Sequence, residues 1–455
     1  RNRRTPELVA GHHGEFPAGV VGGMQRTIGL VAGGLGVGVA ASIAQRHRAF
    51  EGKLRRCGAV ARFGEWATRS YTNEKVRENY SRRFSIRFPN EELPAARPQQ
   101  TTALYDTMLG QGAVMGDSWG LETPLWFAPK GVEAKDIVSF HRSNDFKHVK
   151  AEVLGCRNGV GVTEIANFAK CEFTGSGAEA FLSRLMTNKM PKTGKLCLTP
   201  MLNPAGRLIG DFTIAKASDE RLVMWGSSQA QKYHMRWFEQ HLPADGSVRI
   251  RRYDLGLVGL SIAGPKSREV LQRLTDEDVS NAAFKFMDHR AMDIGNVPAL
   301  INRVTYTGDL GYEIWVAPDY QRRLYQEIMK AGNDEGIINF GMRALLCMRL
   351  EKNFPTWYRE LRPIYGGFEA GMDRFIDLTK NDFIGREAAM KLPTASARNN
   401  DSLYTAIRKK EVGKSASAIT PRLAAAGPVR RVPSRVSSPA VSNAATFETI
   451  TPAST

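Results

Sequence analysis

Two carboxylates have the residue type and setting to do chemistry: Asp211, after Gly210 in the run RLIGDFTIAK, and Glu313, in the run YTGDLGYEI that begins at Tyr306. Asp211 is flanked by apolar residues, and burial there holds a carboxylate in a state useful as a base or a charge partner. A turn or strand-edge aspartate without chemistry is the commoner origin of such a residue, and the local sequence leaves both readings open. Glu313 follows a glycine turn and lies between Tyr312 and Ile314. That placement suits a carboxylate at a pocket rim, able to accept two parallel hydrogen bonds from an amidine-like edge, or equally a solvated glutamate on a hairpin. Arg343 and Arg349, six apart on a helical run, can pair with an anionic ligand tail, although a helix-surface arginine needs no ligand.

Other chemistries lack their residues. The chain has no Cys/His pairing, which removes one of the usual supports for covalent acyl chemistry. Five cysteines (Cys57, Cys156, Cys171, Cys197, Cys347) are odd in number, widely spaced and free of a CxxC pair, against both a disulfide framework and a thiolate zinc site. A reducing compartment follows, cytoplasm or mitochondrial matrix. His141 and His148 are seven apart, as are His234 and His241, but neither pair forms an HExxH-type site, so satisfied or solvated histidines are expected and no metal.

The net charge of +17 suggests nucleic acid until it is divided along the 455 residues. Residues 1–61 hold nine Lys/Arg against three Asp/Glu, residues 393–455 hold the same numbers, and the body between them carries only +5. Nucleic-acid binding needs basic residues gathered on one folded face, so none is expected. The apolar stretch Thr27 to Ala44 is uncharged but glycine-rich and poor in large side chains, so no membrane span is expected. Gly36-Val-Gly38-Val-Ala-Ala41 approximates a dinucleotide loop without the strand and acidic residue that such a loop requires. Gly413-Lys414-Ser415 lacks the glycine five positions earlier that a P-loop needs, since position 408 is Arg.

The elements that must position the two carboxylates lie between these tails. Strand-like runs at Leu208 to Ile214, Leu222 to Trp225 and Leu255 to Ile262 alternate with helical patterns at Ala178 to Leu185, Lys266 to Leu274, Tyr320 to Lys330 and Met342 to Leu350. The fold class is therefore α+β, a sheet covered by helices. One internal similarity refines it: Phe173-Thr-Gly175 through Leu182, Arg184 and Leu185 is echoed by Ile262-Ala-Gly264 through Leu271, Arg273 and Leu274, offset by 89. A strand, a tight glycine turn and a helix packing back on the sheet account for the pattern, and two copies predict duplicated αβ subdomains. The termini read as low-complexity: 1–61 as a leader and 393–455 as a tail too rich in Ser, Ala, Pro and Arg to bury a core.

Longer runs carry a family resemblance. RFGEWATRSYTNEKVRENYSRRFSIRFPNEELPAARP, TTALYDTMLGQGAVMG and ETPLWFAP resemble the segment joining the flavin and folate domains of the dimethylglycine and sarcosine dehydrogenases. FAKCEFTGSGAEAFLSRL, TPMLNPAGRLIGDFTIAK, YTGDLGYEIWV, MRLEK and DFIGREAA resemble the folate-binding domain that this family shares with the glycine-cleavage T-protein, an aminomethyltransferase. The resemblance spans about Arg62 to Lys391. It implies a connecting segment at 62–130, a folate-binding aminomethyltransferase-like domain at 131–392, and tetrahydrofolate capturing the one-carbon unit of an N-methyl amine as 5,10-methylenetetrahydrofolate. It also implies roles: Asp211 as the catalytic aspartate, Tyr306 and Glu313 lining the pterin site, Arg343 and Arg349 near the folate. FAD is expected for the full-length family, whose flavin domain and C-terminal barrel are not recognisable here. Residues 62–392 are thus expected to be a piece of such an enzyme with ends of other origin, its partners a small-molecule amine or iminium donor and a separate flavin-containing chain. Where the family usually reads KGYRAW, this chain has Lys352-Asn-Phe-Pro-Thr-Trp357, which predicts altered geometry near the folate cleft. A stand-alone aminomethyltransferase and a non-catalytic folate-binding module are the competing readings.

Overall fold

The computed structural model describes residues 66–392; the glycine run at 36–41, the apolar stretch at 27–44 and the 413–415 motif lie outside the described residues. Helix α1 (Arg69–Ser81) opens at Thr68, whose hydroxyl accepts from the Tyr71 N–H at 3.3 Å and so satisfies one of the free first-turn donors. Helix α2 (Tyr105–Gly110) leads into a hairpin, β1 (Ala113–Ser118) and β2 (Leu121–Phe127). Its two-residue turn places both Trp119 (φ 57°) and Gly120 (φ 87°) in the left-handed region that such a turn requires. Helix α3 (Phe146–Asn158) follows.

Two copies of one unit come next. The first runs β3 (Gly161–Glu164), β4 (Ala169–Thr174), α4 (Ala178–Leu185), β5 (Leu196–Leu202), β6 (Leu208–Ser218), β7 (Arg221–Gly226) and α5 (Gln231–His241). The second runs β8 (Arg249–Arg252), β9 (Val258–Ala263), α6 (Ser267–Gln272), β10 (His289–Ile294), β11 (Val297–Asn302), β12 (Gly311–Val316) and α7 (Gln321–Ala331). A short β13 (Ile338–Asn339), α8 (Met342–Glu351) and α9 (Arg386–Lys391) complete the described chain. The echo in the sequence is the β4–α4 and β9–α6 turn. Gly175 (φ 111°) and Gly264 (φ 121°) are held where a Cβ would come within 2.3 Å of Ser247 O and 2.2 Å of Cys156 O, so only glycine fits either corner.

The sheets show how the copies are joined. One sheet is ordered β5-β6-β7-β4-β8 and the other β10-β11-β12-β9-β3-β13. Strand β3, which opens the first copy, pairs with β9 of the second, and β8, which opens the second, pairs with β4 of the first. Each repeat thus lends its leading strand to the other's sheet.

Alternation along the strands sorts their two faces. Phe173, Phe212 and Ile214 pack with Leu182 and Phe238 under the helices of the first repeat, and Ile262, Tyr312 and Ile314 pack with Leu324 and Ile328 under those of the second. The opposite faces meet each other: Ala215, Val223 and Trp225 from one sheet share a cluster with Leu300 and Trp315 from the other. Trp225 pairs with Lys170, and Trp315 with Gly259, the position 89 residues beyond Lys170. The two indoles are therefore repeat equivalents, and they touch with ring centroids 5.7 Å apart.

Candidate functional site

Strand alternation places both carboxylates on the faces that the two sheets turn toward each other. Asp211 is four residues before Ala215 on β6, and Glu313 is two before Trp315 on β12; each shares the face of a member of the inter-sheet cluster. One acidic group comes from each repeat.

Asp211 keeps part of its surface open, yet its Oδ1 is sealed from solvent and has no hydrogen-bond partner. Desolvation pushes this carboxyl up to about 7. Glu313 is likewise pushed up to about 7 by burial, and the amide of Asn302 and the indole of Trp315, which face it, draw it back only in part. Neither Asn302 Nδ2 nor Trp315 Nε1 makes a hydrogen bond of ordinary geometry in the structure. Asn302 stands opposite Glu313 in the β11–β12 register, and its Oδ1 lies 2.8 Å from His289 Nδ1. If His289 Nδ1 carries the proton, the Asn302 oxygen accepts from it and the amide N–H₂ is left for Glu313.

Tyr306 sits in the loop between β11 and β12. Its hydroxyl donates to Pro355 O at 2.8 Å, and its ring stacks with Phe354 at a centroid distance of 6.4 Å. Burial pushes the phenol up to about 12, and the charge of nearby Asp211 adds to the rise. The segment after α8 that carries Pro355 is fixed to the helix by one ion pair. Arg349, with 2% of its side chain exposed, donates from Nη1 to Phe354 O at 3.0 Å and to Glu360 Oε2 at 2.9 Å. The same Glu360 oxygen accepts from the Thr356 N–H at 3.0 Å. Asn353 stands at φ 60°, and asparagine is among the few residues other than glycine that accept that conformation.

The five residues singled out in the sequence therefore divide. Asp211, Tyr306 and Arg349 share one neighbourhood, since Asp211 and Arg349 both act electrostatically on the Tyr306 phenol. Glu313 lies on the face that the second repeat's sheet turns toward the first. Arg349 acts through the 354–360 segment rather than standing open to a ligand tail. Arg343 requires a correction: Nη2 meets Asp136 Oδ2 at 2.6 Å and Nη1 meets Asp145 Oδ2 at 2.6 Å, while Asp136 Oδ1 accepts from the Trp126 indole at 2.8 Å. Two carboxylates engage its guanidinium in a knot that ties α8 to the chain before α3.

Asn302, Trp315 and Glu360 escape the sequence reading. The signal for Trp315 is present, two residues beyond Glu313 on a strand and hence on its face; the other two depend on register and loop closure. Of the histidines, His234 is buried with Nε2 2.8 Å from Ile209 O and is pushed down to about 4, and His148 stacks on Trp126. Burial pushes the thiols of Cys156, Cys171 and Cys197 up to about 12, so none offers a thiolate at neutral pH. Among the described residues no group of three His, Cys, Asp or Glu could hold a metal ion, and no helix is long and apolar enough to cross a membrane.

A family model for the GCVT N-terminal domain matches residues 104–380, and one for the FAD dependent oxidoreductase central domain matches residues 59–102. The chain belongs to the GCVT N-terminal domain family, in the arrangement shared with the dimethylglycine and sarcosine dehydrogenases. It is 36% identical over 333 residues to mitochondrial dimethylglycine dehydrogenase of Rattus norvegicus, covering 73% of this chain and 39% of that protein. It is 28% identical over 349 residues to the mitochondrial pyruvate dehydrogenase phosphatase regulatory subunit of Mus musculus, covering 74% of this chain and 39% of that protein. The chain thus spans about two-fifths of the length of these relatives. Among solved structures, the glycine cleavage system aminomethyltransferase T from Bartonella henselae aligns with a TM-score of 0.55 at 19% identity, over 64% of this chain and 74% of that one, a likeness of fold.

Two groups follow from the family. Tetrahydrofolate fits what is present: a sealed carboxylate oxygen without a donor, and two buried N–H donors without acceptors beside a second carboxylate. Among the described residues, the flavin-oxidoreductase match at 66–102 forms one helix whose N-terminus is closed by Thr68, and no glycine turn there cradles a pyrophosphate.

Proposed function

We propose that this chain is the tetrahydrofolate-binding, one-carbon-transfer part of a dimethylglycine/sarcosine dehydrogenase-like oxidoreductase, acting in N-demethylation of a glycine derivative. The observation that carries the reading is the pair of desolvated carboxylates, one per repeat, on the faces that the two sheets turn toward each other, with hydrogen-bonding groups left unpaired beside them. Glu313, faced by the Asn302 amide and the Trp315 indole, accepts the paired N–H groups of the pterin edge. Asp211 holds or takes a proton at Oδ1, and its position near 7 poises it for exchange at neutral pH. Tyr306 closes the space, and Arg349 with Glu360 keeps the 354–360 segment over it. Bound tetrahydrofolate supplies the nucleophilic nitrogen that receives the one-carbon unit. The donor is a small amine or iminium delivered from a flavin-containing segment or separate chain, and the mitochondrial relatives favour the matrix as its location.

The test is anaerobic calorimetric titration of the full chain with tetrahydrofolate, comparing wild type with Glu313→Ala. Binding that the variant weakens by more than about tenfold, roughly 1.4 kcal/mol, supports the assignment. A folded protein that binds no tetrahydrofolate overturns it. A second reading, a folate-binding module without turnover, draws on the likeness to a regulatory subunit. The match at 59–102 to an oxidoreductase central domain weighs against a stand-alone aminomethyltransferase.

A further inference from the structure

One polar row runs straight across five strands of the second sheet. His289 on β10 stands opposite Asn302 on β11, Asn302 opposite Glu313 on β12, Glu313 opposite Ser261 on β9, and Ser261 opposite Thr163 on β3. Directly opposed residues share a face, so all five side chains lie on the face of Trp315, the one turned toward the first repeat. The His289 ring accordingly lies 6.1 Å from that of Trp225. Four members of the row are buried, and only Glu313 keeps part of its surface open. Polar groups buried side by side cost free energy unless they pair with one another. A buried row with one open member points to a chain of hydrogen bonds that ends at the glutamate.

The direction of that chain follows from counting donors. Burial pushes His289 below its ordinary value and the charge of Arg221 adds to the fall, while Asn302 offsets part of it. The ring is therefore neutral at neutral pH and carries a single N–H. An ionised Glu313 accepts only from the N–H₂ end of the Asn302 amide. The amide oxygen is then left for His289 Nδ1, 2.8 Å away, and the imidazole proton must stand on that nitrogen. The charged groups nearby are engaged elsewhere. Lys170, whose Nζ rests 5.8 Å from the Trp315 ring centroid, donates to Ala166 O at 2.7 Å. Arg221 is paired with Glu172, and Lys195 with Asp288 beside His289. Asp211 lies on the facing sheet, and from β9 the group opposite Glu313 is the neutral hydroxyl of Ser261. We propose that His289 is a positioning residue for the site: its Nδ1–H holds the Asn302 oxygen, and the amide N–H₂ thereby kept toward Glu313 favours the carboxylate that receives a pterin edge. Only the pterin rests on the folate reading; the hydrogen-bond chain stands on the strand register.

The experiment follows the infrared C=O band of a protonated carboxyl group that Glu313→Gln abolishes, in the full chain, from about pH 5 to about pH 9. In His289→Phe a ring remains but the donor is gone, so the Asn302 amide can turn its oxygen to Glu313. The carboxyl should then keep its proton to a pH about one unit higher than in wild type. Asn302→Asp sets an oxygen opposite Glu313 directly and should act in the same direction; it decides the matter if His289→Phe is unfolded by circular dichroism. His289→Asn returns an N–H near the place of Nδ1 and should restore the wild-type midpoint. Tetrahydrofolate titrated anaerobically into the same proteins should bind His289→Phe about eightfold more weakly than wild type at about pH 6.5 and within about twofold of it at about pH 8.5. A mere packing defect would weaken binding equally at both. Band midpoints unmoved by His289→Phe and Asn302→Asp, or moved as far by His289→Asn, overturn the proposal. A wild type that binds no tetrahydrofolate sinks the folate reading, and the infrared midpoints still decide the hydrogen-bond chain.

Discussion

Asp211 sets the chemistry and the pH behaviour at the scale of single residues. Its folded position near 7 lies above the ordinary 3.8, so the folded state favours the protonated form. Its contribution to stability is full below about pH 4 and is lost as pH rises through about 7. Asp211→Asn is therefore expected to match wild type in thermal melting at pH 4 and to exceed it at pH 8. The gain should be about 2 kcal/mol, short of the roughly 4 that the whole shift would carry, because the residue keeps some solvent contact. The same variant should lose most one-carbon transfer with tetrahydrofolate affinity little changed, since a proton-handling group acts mainly in the transition state. Transfer by wild type should climb between pH 6 and 8, and retention of full transfer by Asp211→Asn would favour the module without turnover. Asp211 and Glu313 are legible in the sequence because each stands in a distinctive run. Asn302 is not: its link to Glu313 exists only through the β11–β12 register, and an asparagine at the end of a strand carries no mark of it. His289 is hidden for a similar reason, since nothing local tells a histidine that orients an amide from one that is merely satisfied.

At the scale of elements, the two glycine corners and the segment after α8 decide whether the site is held. Gly264→Ala would bring a Cβ within 2.2 Å of Cys156 O and 2.4 Å of Gly159 O at a backbone angle that L-residues avoid. The expected loss is about 3 kcal/mol, read as a lower denaturant midpoint with unchanged slope. Glu360→Ala leaves the buried Arg349 guanidinium with Phe354 O as its remaining partner and should destabilise by about 2 kcal/mol. Faster proteolysis at 353–361 and weaker tetrahydrofolate binding should accompany it, with Glu360→Gln intermediate; unchanged proteolysis would show that the segment is held by its own packing. The four helical patterns were readable from periodicity, and the one at Ala178 to Leu185 coincides with α4, whereas the strand expected at Leu255 to Ile262 begins only at Val258, after a tight turn at Asp254–Gly256. The closure of Glu360 on Arg349 was not readable, because it joins a helix to a loop whose path is set by Asn353 and Tyr358, both at positive φ.

At the scale of the whole described unit, each sheet contains a strand from the other repeat, so neither repeat can complete its hydrogen-bonded ladder alone. Thermal unfolding followed in the far ultraviolet and by tryptophan fluorescence, to which Trp225 and Trp315 between the sheets contribute, should give coincident transitions. Two separated transitions would mean that the repeats are independent. The 89-residue echo discloses that there are two copies but not that they trade strands, because pairing between β3 and β9 leaves no trace in either segment. That exchange has a consequence for how the protein is made. Strand β3 leaves the ribosome about a hundred residues before β9, an interval on the order of ten seconds at ordinary rates of synthesis. For most of that interval the first sheet also lacks β8, so the nascent chain presents unpaired strand edges, and a chaperone that shields residues 161–248 during translation should raise the yield of folded protein.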